Sequence, residues 1–139
     1  MSYKIISKYV KKINFNIPNP KIFYLLEKEI PNYKINLDIK NKQFEKNIVE
    51  IEISLFLVSP KKDKEKIDVN IIYSAIVEIT DKSLNKKNLE NIILIKVPTE
   101  IYPDLRKTFI FLFEKSGFKQ IKIDQNVDFE KLYNLRRVQ

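Results

Sequence analysis

The sequence predicts an α+β domain in which four β-strands come first and two or three helices follow. Up to Thr80, apolar and polar residues alternate with a period of two in four separate segments. After Thr80, apolar residues recur at steps of three and four, as in helices. The length of 139 residues and a hydrophobic content of 44% indicate a single domain, residues 1–139, with its own core.

Each predicted strand presents one apolar face, because successive side chains of a strand point to opposite sides of a sheet. The four strands are predicted over residues 3–17, 33–39, 49–57 and 67–79. Their richness in Ile, Val, Tyr and Phe supports strands over helices. The polar stretches 41–47 and 60–66 are short enough to be hairpin connections.

The link between the first two strands differs from the other two, because it is long and apolar. Residues 18–32 are expected to form a loop that covers or binds something. Its apolar side chains are Ile22, Phe23, Tyr24, Leu25, Leu26 and Ile30. The polar face of the sheet also carries apolar residues, which predicts contact with a partner subunit or a client. These residues are Ile6, Val10, Phe56, Val58, Ile72 and Ile76.

The helical spacing extends over residues 89–113. Pro98 and Pro103 lie inside it and predict a break or a kink. Gly117, the one glycine of the chain, predicts a left-handed helix stop. Asp128 is placed to cap a terminal helix, in which Phe129 and Leu132 are expected to fill the core.

The composition excludes most catalytic chemistry. The chain has no Cys and no His, so zinc, iron–sulfur and haem sites and thiol or imidazole catalysis lose their usual groups. A single glycine cannot build a phosphate-binding loop. Carboxylates such as Glu50, Glu52 and Asp104 have no evident base or metal partner. We therefore expect no catalytic residue, no cofactor and no metal site.

The net charge of +8 is weak evidence for a nucleic-acid partner. Of the 26 basic residues only Arg106, Arg136 and Arg137 are arginines, and arginine is the residue that best recognises phosphates and bases. Lys, Ile and Asn all have A/T-rich codons, so genome composition could account for the charge. No uncharged run is long enough to span a membrane, and the lack of disulfides fits a cytoplasmic protein.

Several short sequence segments, taken in their order along the chain, resemble those of a known family. They are residues 9–15 with Pro18-Asn19, Pro20 with Phe23, residues 31–38, residues 97–106, residues 117–123 and residues 127–133. In this order, from about Tyr9 to Tyr133, they resemble SecB, the export chaperone of bacteria.

The resemblance implies a four-stranded antiparallel sheet with helices on one face, assembled as a homotetramer, a dimer of dimers, through the long helix. It implies an ATP-independent holdase that binds unfolded precursor proteins and passes them to the SecA motor. The implied client-binding residues are Ile22, Phe23, Tyr24, Leu25, Leu26, Ile30, Phe118, Ile121 and Tyr133. The implied oligomer interface holds Ile101, Leu105, Phe109 and Leu112, and the implied SecA-docking surface holds Lys12, Asn16 and Asn70.

Two alternatives remain beside Sec-dependent export. Members of the SecB family are typically acidic on the SecA-docking surface, whereas Lys12, Asn16 and Asn70 are neutral or basic, which favours a SecB-like chaperone of a toxin–antitoxin system. A different class is a basic OB-like domain that stacks single-stranded nucleic acid on Tyr3, Tyr9, Phe15 and Tyr33. The missing fifth strand and the scarcity of Gly and Arg argue against this second class.

Overall fold

The computed structural model describes residues 2–29, 34–58, 67–118 and 123–138, with the side chains of Leu26, Glu29 and residues 136–138 left aside. Its strands are β1 (Tyr3–Asn16), β2 (Lys34–Glu45), β3 (Ile48–Val58) and β4 (Asp68–Ile79). Its helices are α1 (Pro20–Glu29), α2 (Lys86–Asn91), α3 (Val97–Lys115) and α4 (Phe129–Val138), and a π-helical segment (Ile92–Lys96) joins α2 to α3. The α+β prediction is confirmed.

The four strands form one antiparallel sheet in the order β1-β4-β3-β2. The β2–β3 connection is a tight turn at Lys46-Asn47, where Asn47 adopts a left-handed conformation with φ of 66°. The predicted loop 41–47 is therefore wrong for its first five residues, which extend β2 to Glu45. The predicted connection 60–66 lies outside the described residues.

The core lies between the inner face of the sheet and one side of α3. Ile51 and Ile53 of β3 and Ile71 of β4 are completely enclosed, as are Leu105 and Phe109 of α3. Inner-face positions of β3 and β4 alternate with more exposed ones, as the period of two predicted.

Strand β1 departs from simple alternation at two β-bulges. Its register against β4 shifts between Ile5 and Ser7 and again between Val10 and Lys12. Each bulge adds one residue and reverses the face of the side chains that follow. Tyr9, expected on the apolar stripe, therefore pairs with Ser74 on the outer face.

Helix α1 replaces the predicted loop between the first two strands. Asn19 caps it, because the Ile22 amide donates to Asn19 Oδ1 at 2.9 Å, and Pro20 occupies the first helical position. The prediction of a loop is therefore wrong over residues 20–29, although Asn followed by Pro is a helix-start signal.

The two prolines of the helical region behave differently from each other. At Pro98 the helix widens into a π-helical segment, in which the Val97 amide bonds back to the Ile92 carbonyl. At Pro103 the helix α3 continues. The expected irregularity is thus confirmed near Pro98, and α3 shows no interruption at Pro103.

Both predicted helix-end signals are confirmed. Gly117 has φ of +100°, and the amides of Phe118 and Gly117 bond to the Phe113 and Glu114 carbonyls at 3.0 and 3.2 Å, which closes α3 with a Schellman motif. Asp128 Oδ1 accepts from the Lys131 amide at 3.0 Å at the start of α4.

Candidate functional site

An apolar cleft lies between strand β2 and helix α4. It has a volume of about 90 Å³ and is lined by Leu37, Ile39, Leu94, Phe129, Leu132 and Tyr133. The period-two pattern of β2 turns Leu37 and Ile39 to the inner face, and the helical spacing of α4 turns Phe129, Leu132 and Tyr133 toward them. Leu132 remains 38% exposed, so the cleft is edged by apolar surface that a ligand can cover.

A second cleft of about 230 Å³ adjoins the first and shares Leu37 with it. Its remaining lining residues are Ile35, Leu55, Tyr102, Ile123, Asp124 and Val127. Together the two clefts, here called the β2 cleft, follow the inner face of β2 from Ile35 to Ile39.

The two tyrosine hydroxyl groups in the walls of the β2 cleft have partners within the chain. The Tyr102 hydroxyl donates to the Asp124 carbonyl at 2.6 Å, and burial raises the pKa of this phenol. The Tyr133 hydroxyl donates to Glu90 Oε2 at 2.6 Å, which ties α4 to α2. The part of the cleft next to Leu132 therefore offers a ligand mainly apolar contact, whereas the part next to Asp124 also presents polar surface.

The cleft is bordered by an edge strand. Within the described sheet, β2 pairs with β3 on one side and with no strand on the other. Such an edge presents backbone amides and carbonyls that can pair with an extended polypeptide. An apolar groove beside a free strand edge matches the two features that unfolded chains share, which are exposed apolar side chains and unpaired backbone groups.

Comparison with known proteins identifies the family. The family model described as preprotein translocase subunit SecB matches residues 1–139. A provisionally named protein-export protein SecB of Pelagibacter ubique is 34% identical over 135 residues, covering 97% of this chain and 96% of that protein. The protein-export protein SecB of Parvibaculum lavamentivorans is 25% identical over 136 residues, covering 98% and 79% of the two chains.

The chain belongs to the SecB family. It is a chaperone of protein export, as the resemblance of its sequence implied. A SecB-like chaperone of Mycobacterium tuberculosis, solved in complex with a ChAD peptide from the HigA1 antitoxin, shares the fold with a TM-score of 0.64 and 10% identity, covering 88% of this chain and 89% of that one.

The client-binding residues implied by the SecB resemblance do not form one site. Some lie in the β2 cleft, some in the core and some on the exposed side of α1. Tyr133 lines the β2 cleft, whereas Phe23 of α1 packs on Phe118 at 4.9 Å between ring centroids. Ile22 and Phe118 are only 4% and 1% exposed, so both belong to the core of the chain. Tyr24 and Leu25 on α1 are exposed. The side chain of Leu26, and Ile30 and Ile121 entirely, lie outside what the structure describes.

Of the twelve described residues that line the β2 cleft, the predicted client-binding set contained Tyr133 alone. Leu37 and Ile39 follow the strand alternation that predicted β2, and Leu94 follows the helical spacing, but neither pattern indicates which core residues border a cleft. Leu132, expected in the core, is instead partly exposed at the cleft, so that expectation is wrong. Phe129 is 2% exposed, and its core placement is confirmed although it also lines the cleft.

The residues implied at the oligomer interface are placed on the inner side of α3. Ile101, Leu105 and Phe109 are completely enclosed within one chain, because this face of the helix covers β3 and β4. These three side chains are therefore covered by the chain itself and have no exposed surface left for the subunit contact that the resemblance implied. Leu112 is half-buried, and Phe111 beside it is 56% exposed.

The residues implied at the SecA-docking surface gather at one corner of the outer sheet face. Asn14 pairs directly with Asn70, while Lys12 and Asn16 occupy the neighbouring outward positions on β1. Asn14 Nδ2 donates to Asp68 Oδ2 at 2.8 Å. The corner thus carries one ammonium and one carboxylate among amides.

A polar network covers the centre of the outer face. Glu50 accepts hydrogen bonds from the Tyr9 hydroxyl, from Lys11 at 2.9 Å and from the buried Ser74 hydroxyl at 3.0 Å. These bonds, that of Tyr9 foremost, lower the pKa of Glu50 to about 2. Lys11 also bonds Glu52, and its pKa is raised by the two carboxylates.

Among the described side chains, no group of three or more acidic residues is arranged to hold a metal ion. In the described part of the chain, no helix is long and apolar enough to cross a bilayer.

Proposed function

We propose that this SecB protein holds unfolded precursor proteins in an extended form in the β2 cleft, with the free edge of β2 contributing backbone pairing. The observation that carries the proposal is the continuity of apolar wall from Ile35 to Ile39 beside an edge strand. The exposed Tyr24 and Leu25 of α1 offer a further apolar surface for a long client. Binding of this kind needs neither nucleotide nor catalysis.

The test is suppression of aggregation. An unfolded preprotein is diluted from denaturant with and without the chaperone, and light scattering is followed. Leu37→Asp places a carboxylate where both parts of the β2 cleft meet, so it should abolish most of the suppression. A peptide carrying N-methyl groups on alternate residues separates backbone pairing from apolar contact. Methylation in one register should weaken binding and in the other should not, because alternate amides of a strand point to opposite sides.

We propose further that the protein assembles as a homotetramer, a dimer of dimers. Support comes from β1, the other edge strand, which carries the exposed apolar residues Val10 and Ile13, and from Phe111 on α3. Exposed large apolar side chains on an edge strand and on the long helix are typical of interface surfaces. Light scattering coupled to size exclusion measures the mass, and a mass of one chain would refute the assembly.

We propose SecA as the recipient of the held client and the cytoplasm as the location. The corner formed by Lys12, Asn16 and Asn70 is the candidate docking surface. Its one carboxylate, Asp68, shares the corner with Lys12 and amides, which predicts weaker attraction to a basic patch than an acidic corner would give. Titration of labelled chaperone with SecA tests the proposal. Lys12→Glu should strengthen the complex if this corner docks. No binding of SecA by either form would favour a chaperone of an antitoxin.

A further inference from the structure

We infer that the β2 cleft selects unfolded segments in which apolar residues are accompanied by acidic ones. The inference rests on the proposed function of the β2 cleft and specifies its client class. Two observations support it: β2 carries lysines without an ion pair among the described residues, and the nearby carboxylates of Glu50 and Glu52 are paired with Lys11 of β1.

Strand β2 exposes three lysines, Lys34, Lys40 and Lys42, on the row of side chains opposite to the cleft-lining row. The register places Lys40 directly across from Glu52 and Lys42 directly across from Glu50. In an ordinary antiparallel pair these would form two favourable cross-strand ion pairs.

Glu50 and Glu52 instead form ion pairs with a lysine of β1, the strand at the opposite edge of the sheet. Lys11 of β1 reaches over β4 and bonds both of them, at 2.9 Å to Glu50, while Tyr9 and Ser74 also donate to Glu50. Within the described ranges, Lys34, Lys40 and Lys42 have no ion pair. The β2 edge therefore carries positive charge that no ion pair among the described residues neutralises.

Two of the four lysines of β1 form ion pairs. Lys8 pairs with Asp104 of α3 at 3.0 Å, and Lys11 pairs with Glu50 and Glu52, whereas Lys4 and Lys12 form no ion pair among the described residues. Both edges of the sheet thus carry unpaired lysines, but only those of β2 stand beside the β2 cleft. Repulsion between β2 lysines also disfavours pairing of this edge with a second copy of itself.

A client strand laid along β2 would meet both features at once. Its alternate side chains would cover the row of Ile35, Leu37 and Ile39, and the intervening ones would stand beside Lys40 and Lys42. Acidic side chains are favoured there, and basic ones are disfavoured by like charge. Asp38 is the one carboxylate of β2 in this row, so the preference is strongest toward the Lys40–Lys42 end. The net charge of +8 adds attraction at longer range.

The test uses three fluorescent peptides with the same alternating apolar residues and with Glu, Gln or Lys at the intervening positions. The Glu peptide should bind tightest and the Lys peptide weakest, and the difference should shrink as salt is added. The double variant Lys40→Gln/Lys42→Gln should weaken the Glu peptide roughly 5-fold and leave the Gln peptide within about 2-fold, as expected for two exposed ion pairs.

The double variant Lys82→Gln/Lys87→Gln is the matched control, since both are exposed lysines that do not belong to β2 and do not line the β2 cleft, and it removes the same charge. An equal loss in both double variants would show a net-charge effect and overturn the inference. Equal affinity for all three peptides, with aggregation still suppressed, would overturn it while leaving the proposed function intact. Failure of every peptide together with failure to suppress aggregation would refute the proposed function itself.

Discussion

The most informative single substitution is Leu132→Ala in the β2 cleft. Leu132 is 38% exposed on α4, and a client bound in the cleft would cover that exposed part. Full burial of a leucine side chain is worth about 1.5–3 kcal/mol, so covering this fraction contributes about 0.6–1.1 kcal/mol. A loss of this size corresponds to a roughly 3- to 6-fold weaker affinity. Fluorescence anisotropy with a labelled unfolded precursor fragment measures it.

Leu135→Ala provides the matched control on the same helix. Leu135 is 55% exposed, more than Leu132, but it does not line the β2 cleft. If exposed apolar area alone governed binding, Leu135→Ala would cost at least as much affinity as Leu132→Ala. We expect the affinity of Leu135→Ala to stay within about 2-fold of the unsubstituted protein, which is below 0.5 kcal/mol. Equal losses in the two variants would refute the assignment of the cleft.

Three further predictions concern stability and assembly. Gly117→Ala should destabilise the fold by about 1–2 kcal/mol in denaturant unfolding, because φ is +100° and the new Cβ would lie 3.0 Å from the Phe23 ring; an unchanged midpoint would contradict this. Glu50 has its pKa lowered from 4.5 to about 2, so its contribution to stability is complete above about pH 4.5 and is lost as pH falls toward 2. Glu50→Gln should flatten the fall of the melting temperature in that window. Phe111→Asp should lower the oligomer mass measured by light scattering, since Phe111 is 56% exposed on α3, and a tetramer that persists would exclude it from the interface.

The order of the four strands and the later helices could be predicted because the period of two and the helical spacing occupy separate parts of the chain, before and after Thr80. The inner positions of β3 and β4 follow the period of two without interruption, as both strands are central and covered by α3. The roles of Gly117 at the end of α3 and of Asp128 at the start of α4 could be predicted because each depends on only a few neighbouring residues.

The parts that sequence inspection missed depend on tertiary structure. The first bulge in β1 reverses the face of Tyr9, and no local pattern marks a bulge in a strand that is apolar at both odd and even positions. Helix α1 has a start signal at Asn19-Pro20, but a short apolar segment between two strands also fits a loop, and the prediction of a loop is wrong.

The candidate site was harder to predict than the fold. Leu37, Ile39 and Leu94 have the same spacing as enclosed core residues, and they border a cleft only because α4 covers β2 incompletely. Conversely, an apolar stripe on α3 is completely buried within the core of one chain; its residues are Ile101, Leu105 and Phe109. Sequence spacing identifies an apolar face but does not tell whether the chain itself covers it.

The central claim is that unfolded precursors bind in the β2 cleft, and site-specific photo-crosslinking tests it most directly. A photoreactive phenylalanine analogue is placed at Leu132 in the cleft and, in a second protein, at Ser83, an exposed position in the turn before α2. With an unfolded preprotein present, the account predicts strong crosslinking from position 132 and little from position 83. Equal crosslinking from both positions, or crosslinking confined to position 83, would contradict it.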